Sequence, residues 1–292
     1  MSKRLDAIFR HLAQRPSLKE VGVEAYRSFV ELGAVAFKPA KDIVETPFEL
    51  GSVTGLWFTP KNAEPGRSLV HIHGGGFLAG SSESYRDLAT RLAREARCPT
   101  LVFDYRLAPE HPCPAGLADC QAVWEHLTAT LDHTPDLSGD SAGANLAVGL
   151  TARCIKENRP VPRRLALISP WLDLTGQAPD FTTKADEDPM LRPDDLRYTA
   201  RLYAGDLALD DPRVSPLFQD VTGFPSTLIQ AGSREILTND ARTLARKLED
   251  AGSTVRLEIW EGMFHVWHYF ARYLSQGQEA LEDLGNFLRG TP

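Results

Sequence analysis

The sequence lacks the features that mark several classes of protein. It has no uninterrupted apolar run of about 18 residues, so it predicts no membrane-spanning helix. Residues 1–12 mix charged and apolar side chains in a helical pattern, unlike the apolar core of a signal peptide. The four cysteines have neither CxxC spacing nor histidines at ligand spacing. This argues against a zinc site and favours a reduced, cytoplasmic chain. The 39 acidic and 32 basic residues give a net charge of −7, which argues against nucleic acid or an anionic membrane as the main partner.

The residues that are present indicate an α/β arrangement. From about residue 68 to residue 288, short apolar runs alternate with segments of helical periodicity. This alternation predicts a mostly parallel central sheet with helices on both faces. Residues 172–222 interrupt the rhythm, being rich in Asp, Pro and Thr, with a helix-like piece at 196–203. We therefore divide the chain into core segments 41–171 and 223–292 and a helical cap made of residues 1–40 and 172–222.

The pentapeptide Gly139-Asp140-Ser141-Ala142-Gly143 has the pattern G-x-S-x-G. In that pattern the serine lies on a strained strand-to-helix turn that exposes its hydroxyl, and the glycines allow close backbone approach. The pattern also occurs by chance, so it needs support from other features. One feature opposes it: residues 133–137 form a poor strand, with a proline and a single aliphatic side chain.

A second glycine-rich motif, His73-Gly74-Gly75-Gly76, begins 66 residues before the pentapeptide. Backbone N–H groups stabilise the oxyanion of acyl transfer, and removing one such donor costs about 3 kcal/mol. We expect donors from Gly75, Gly76 and Ala142, with His73 shaping the loop. A phosphate-binding loop is disfavoured because no Lys-Ser/Thr pair follows and the spacing differs from G-x-G-x-x-G.

A serine nucleophile needs a histidine base and a carboxylate to orient that base. Only His265 and His268 follow Ser141 in the chain, and His265 lies in the loop just after a predicted strand. Glu235 and Asp240 both follow the strand predicted at 227–231. Asp240 begins an amphipathic helix, where a carboxylate is a routine N-terminal cap, so Glu235 is the better candidate for the acid.

These motifs, in this order, resemble those of the hormone-sensitive-lipase-like (bacterial family IV) carboxylesterases of the α/β-hydrolase fold. The resemblance covers about residues 40–290 and rests on five segments: His73–Phe77, Asp104–Pro112, Gly139–Gly143, Ser169–Thr175 and Gly262–His265. It implies a serine carboxylesterase that acts on short- to medium-chain acyl esters, without a cofactor or metal. It also implies a cap built from the N-terminal helices and the insertion. The family usually has Asp-Pro-Leu at the acid position, where this chain has Glu235-Ile236-Leu237.

The expected partner is therefore a small-molecule ester, and a homodimer is allowed. A lactone or formamidase-like amide hydrolase would use the same residues. A non-catalytic receptor of the same fold is disfavoured because the related plant hormone receptor lacks the histidine. Six side chains are candidates for the walls of the substrate pocket: Phe77, Trp171, Met190, Leu191, Tyr198 and Tyr203.

Overall fold

The computed structural model describes residues 3–34 and 37–291 of the chain. Helices α1 (Lys3–Ala13) and α2 (Leu18–Ala34) come first, and α2 is kinked at Gly22. The other elements follow in chain order: β1 (Ile43–Leu50), β2 (Val53–Pro60), β3 (Leu69–Ile72), α3 (Arg86–Ala96), β4 (Thr100–Phe103), α4 (Ala115–Thr130), β5 (Asp136–Asp140), α5 (Ala142–Lys156), β6 (Leu165–Ile168), α6 (Asp180–Thr183), α7 (Pro193–Ala204), β7 (Thr227–Gly232), α8 (Thr238–Asp250), β8 (Val255–Trp260) and α9 (Ser275–Arg289). Short 3-10 turns lie at Pro216–Phe218 and Trp267–Phe270.

The sheet that the described residues form has eight strands in the order β1-β2-β4-β3-β5-β6-β7-β8. Strand β2 pairs antiparallel with β1 and β4, and every other pair is parallel. This is the α/β-hydrolase arrangement that the motifs implied. Because β3, β5, β6, β7 and β8 run in one direction, the loops at their carboxyl ends meet along one edge of the sheet, where ligands bind in such sheets.

Apolar cores fill both faces of the sheet. One face packs α3 and α9 against the strands, through residues such as Leu88, Leu92 and Leu284. The other face is covered by α4, α5 and α8, with Leu146 and Leu244 among its buried residues. Strands β3 to β7 are therefore buried on both sides, as the alternation of strand and helix predicted, whereas β1 at the edge of the sheet is largely exposed.

Strand β5 is the element whose sequence predicted it least well. It runs from Asp136 to Asp140, so the first two residues of the serine motif, Gly139 and Asp140, form its carboxyl end. Its polar side chains are buried, and each of them has at least one hydrogen-bond partner. Ser138 Oγ lies 2.8 Å from His71 Nδ1, and Arg163 donates to Asp136 at 2.5 Å. Because an unpaired buried polar group costs about 1–3 kcal/mol, these partners make a polar central strand tolerable.

The N-terminal helices and the insertion between β6 and β7 are linked to each other. Ser17 donates to the Asp195 carboxylate at 2.5 Å, and Arg192 in turn donates to the carbonyl oxygen of Arg15 at 2.7 Å. Within the described residues, no helix is long and apolar enough to cross a membrane. All four cysteines are buried free thiols.

Candidate active site

Ser141 lies at the turn between β5 and α5. Its backbone has φ 51° and ψ −118°, a strained conformation for a residue with a side chain, and its N–H donates to Ile168 O at 2.9 Å. Gly143 is required here because a Cβ at that position would overlap the carbonyl of Ile72 on the neighbouring strand. The result is a serine held at the N-terminus of a 15-residue helix, where the helix dipole favours developing negative charge.

Ser141, His265 and Glu235 form a continuous hydrogen-bonded chain. The Ser141 Oγ lies 2.9 Å from His265 Nε2, and His265 Nδ1 donates to Glu235 Oε2 at 2.9 Å. A carboxylate only accepts, so Nδ1 carries the proton and Nε2 is free to accept the hydroxyl proton of Ser141. The three side chains come from loops after β5, β7 and β8, and all three are buried.

The second oxygen of Glu235 is also fully engaged. Ser169 Oγ donates to Oε1 at 2.7 Å, and the Gly232 N–H donates to the same oxygen at 2.5 Å. Ser169 also accepts the Val266 N–H at 3.0 Å, next to His265. The Ser169 hydroxyl therefore fixes both the Glu235 carboxylate and the loop that carries His265.

The alternative candidates lie away from this chain of bonds. Asp240 Oδ2 accepts from the N–H groups of Leu172 and Asp173 at 2.8 and 2.9 Å, and burial raises the pKa of its carboxyl to about 7. Instead of capping its own helix, as the sequence suggested, Asp240 holds the loop after β6. His268 donates to Gln230 Oε1 at 2.9 Å, and burial lowers the pKa of its imidazole to about 3.

The glycine loop after β3 curls towards Ser141. Gly75 and Gly76 have φ values of 106° and 64°, and a Cβ on Gly75 would overlap the carbonyl of Ala79. His73 Nδ1 donates to Gly74 O at 2.8 Å, which shapes the loop as expected. Among the described residues, no acceptor receives the N–H groups of Gly75, Gly76 or Ala142. These three donors are therefore available to a ligand.

A cavity of about 570 Å³ opens beside Ser141 and His265. Helices α1, α2 and α7 contribute to its walls, through side chains such as Leu12, Phe29 and Leu196. Its lining is mainly apolar, which suits the acyl and alcohol groups of an ester.

The six predicted pocket residues divide into two groups. Trp171, Met190 and Leu191 line the cavity. Phe77, Tyr198 and Tyr203 are outside the lining found among the described residues. Phe77 and Tyr203 are instead buried in the core, stacked with ring centroids 3.6 Å apart. All six residues were chosen for their apolar character, but three of them pack in or against the core and do not line the cavity.

Two carboxylates beside the site had no role predicted from the sequence. Asp140 bonds to the glycine loop at Gly74 N. Asp188 accepts from the N–H groups of Met190, Leu191 and Ile236, and burial raises the pKa of its carboxyl to about 6. The only signal in the sequence was their position: Asp140 directly precedes Ser141, and Asp188 lies shortly before the apolar pair Met190-Leu191.

Comparisons with known proteins place the chain among related sequences. The family model for the alpha/beta hydrolase fold matches residues 69–269. An acetyl-hydrolase of Streptomyces hygroscopicus is 38% identical over 270 residues, covering 91% of this chain and 86% of that protein. An esterase of Acinetobacter venetianus is 32% identical, covering 97% of this chain and 94% of that protein.

A solved structure extends the likeness to three dimensions. An esterase from the bacterial hormone-sensitive lipase family superposes with a TM-score of 0.94 at 33% identity, covering 100% of this chain and 99% of that one. Fold, site geometry and relatives therefore lead to one family. This chain belongs to the α/β-hydrolase fold family, among the bacterial hormone-sensitive-lipase-like esterases.

Proposed function

We propose that this protein hydrolyses short- to medium-chain carboxylic esters through an acyl-enzyme, with Ser141 as nucleophile, His265 as base and Glu235 as the acid that orients it. The observation that supports this most directly is the chain of two 2.9 Å hydrogen bonds from Ser141 through His265 to Glu235. The names of relatives, esterase and acetyl-hydrolase, point to the same reaction.

The reaction has two steps. His265 Nε2 removes the hydroxyl proton as Ser141 Oγ attacks the ester carbonyl, and it returns the proton to the departing alcohol. The N–H groups of Gly75, Gly76 and Ala142 stabilise the oxyanion of each tetrahedral intermediate. Water then attacks the acyl-serine, with His265 again acting as base. Glu235 keeps the imidazole in the tautomer that has its free lone pair on Nε2.

We propose further that residues 1–40 and 172–222 form a cap over the site. The bonds of Asp195 to Ser17 and of Arg192 to Arg15 support one unit made from both segments. Both segments contribute side chains to the cavity wall. In this arrangement the cap sets the size of the acyl or alcohol group, while the sheet edge carries out the chemistry.

The decisive experiment is an acyl-length series of p-nitrophenyl esters, from acetate to octanoate, with lactones and amides added. We expect activity on the esters, highest at the short to medium lengths, and none detectable with Ser141→Ala. Ser28→Ala, which changes an exposed serine on α2, is the matched control and should keep full activity. Ester hydrolysis by Ser141→Ala at the wild-type rate would refute the proposal.

The panel also separates the alternatives that use the same residues. If the enzyme prefers lactones or amides, its kcat/KM for those substrates will exceed its kcat/KM for the p-nitrophenyl esters. Covalent labelling of Ser141 by an organophosphate distinguishes an enzyme from a non-catalytic receptor. A cytoplasmic location and a homodimer are further proposals, tested by cell fractionation and by light scattering of the purified protein.

A further inference from the structure

A set of buried polar side chains joins the end of β5 to the glycine loop after β3. Asp140, the residue directly before Ser141, is only 2% exposed. Its Oδ1 accepts from the Gly74 N–H at 3.0 Å, and its Oδ2 accepts from the Tyr85 hydroxyl at 2.8 Å. His71 Nε2 lies 3.2 Å from Oδ1. The Asp140 carboxylate thus links the end of β5, directly before Ser141, to the glycine loop after β3.

Tyr85 also contacts the Gly74 N–H. Its hydroxyl oxygen accepts from the Gly74 N–H at 2.7 Å, so that N–H is shared between the tyrosine and Asp140. Burial raises the pKa of the Tyr85 phenol well above its usual value, which keeps the hydroxyl protonated and able to donate to the carboxylate. The Tyr269 ring packs edge-on against Tyr85, with centroids 5.1 Å apart.

The backbone polar groups on either side of this N–H are also held. Tyr105 donates to His73 O at 2.9 Å, and His73 Nδ1 donates to Gly74 O at 2.8 Å. In a trans peptide the N–H of Gly75 points away from the carbonyl of Gly74. Fixing that carbonyl therefore aims the Gly75 N–H in the opposite direction. No side chain within the described residues accepts this N–H.

We propose that Asp140 and Tyr85 are positioning residues that lock the oxyanion loop to the strand end carrying Ser141. This rests on the proposed function, in which Gly75 and Gly76 stabilise the oxyanion. Donor and nucleophile must keep their relative positions within about 0.5 Å for full effect. Asp140 provides that link, because it is the last residue of β5, directly before Ser141, and its carboxylate holds Gly74.

The first test replaces the tyrosine with the nearest residue that lacks the hydroxyl, Tyr85→Phe. We expect kcat for p-nitrophenyl butyrate to fall about 10- to 100-fold, less than the roughly 10²- to 10³-fold loss caused by deleting a donor outright. KM should stay within about threefold. Tyr273→Phe, at an exposed tyrosine, is the matched control and should leave kcat unchanged.

The second test separates positioning from a general structural role. Affinity for a trifluoromethyl ketone, which forms a tetrahedral adduct with the serine, should fall by the same factor as kcat. Affinity for butyrate, the acid product, should not change. Asp140→Asn retains an acceptor for Gly74 but places an amide against Tyr85, so we expect an intermediate loss. In the double variant the two losses should be less than additive, because both residues act on one N–H group.

Two results would overturn this inference. One is a Tyr85→Phe enzyme with kcat within twofold of the wild type. The other is an equal loss of affinity for the ketone and for butyrate, with a lowered Tm, which would indicate a disturbed cavity rather than a displaced oxyanion loop. Ser141→Ala keeps the two proposals apart: if it is inactive while Tyr85→Phe is unaffected, only the positioning role fails.

Discussion

Replacing Glu235 with glutamine should inactivate the enzyme by forcing the wrong tautomer on His265. Two donors, the Ser169 hydroxyl and the Gly232 N–H, point at Oε1 of Glu235. The glutamine must therefore turn its carbonyl oxygen towards them. Its NH₂ group then faces His265 Nδ1, where the carboxylate oxygen Oε2 lies in the wild type.

An amide N–H opposite Nδ1 requires that nitrogen to accept. The proton of the neutral imidazole then moves to Nε2, which can no longer take the proton of Ser141. The same acid-to-amide change in a serine-protease triad lowers kcat about 10⁴-fold. We expect a loss of that order here, equal to about 5 kcal/mol of transition-state stabilisation.

The assay is steady-state hydrolysis of p-nitrophenyl butyrate at pH 8 by Glu235→Gln, with Asp240→Asn as the matched control. The asparagine keeps an oxygen for the N–H groups of Leu172 and Asp173, so its kcat should stay within about threefold of the wild type. A Glu235→Gln enzyme that keeps more than a tenth of its kcat, or equal losses in the two variants, would refute this reasoning.

Three further predictions test other parts of the site. Gly75→Ala should lower kcat at least 10²-fold in the same ester assay, because the new methyl group would overlap the carbonyl of Ala79. Burial raises the pKa of Asp240 to about 7, so the folded state holds this proton more tightly than the unfolded chain does. The free energy of unfolding should therefore fall as pH rises from about 4 to 7, by up to about 4 kcal/mol. Urea titrations should show a flatter profile for Asp240→Asn, and an unchanged one for Asp210→Asn at an exposed position. Leu191→Trp, in the cavity wall, should shift the acyl-length preference towards acetate without lowering kcat for that ester.

The parts of the fold that depend on local pattern could be predicted from the sequence. Strand β7 runs from Thr227 to Gly232, one residue beyond the predicted 227–231, and strand β8 ends just before the loop of His265, where a strand was predicted. The structure also brings Ser141, His265 and Glu235 together, and these three were chosen because the acid and the histidine follow the serine in the chain. Their catalytic roles remain predictions, but the chain-order rule needed no knowledge of distant contacts.

The parts that depend on long-range contacts could not be predicted. Nothing near Glu235 in the chain indicates that Ser169, 66 residues earlier, binds its carboxylate. Nor does the sequence separate Trp171, which lines the cavity, from Phe77, which packs in the core beside it with ring centroids 5.7 Å apart. Both are aromatic residues near the carboxyl ends of strands. The structure separates the two: Phe77 stacks against Tyr203 of α7, whereas Trp171 lines the cavity that a ligand can enter.

The polar sequence of β5 and the position of the glycine loop have one physical cause, the hydrogen bonds that buried side chains of β5 make with their neighbours. Ser138 and Asp140 are poor strand residues, because strands favour β-branched and aromatic side chains, and both are buried. Aliphatic replacements would suit the strand better, but they would remove both partners of the His71 ring, the acceptor of the Tyr85 hydroxyl and one of the two acceptors of the Gly74 N–H. Each group left unpaired would cost about 1–3 kcal/mol, more than a strand-propensity gain of at most about 1 kcal/mol. The polar strand is thus the more stable choice once the glycine loop lies beside it, and the same hydrogen bonds hold that loop next to Ser141.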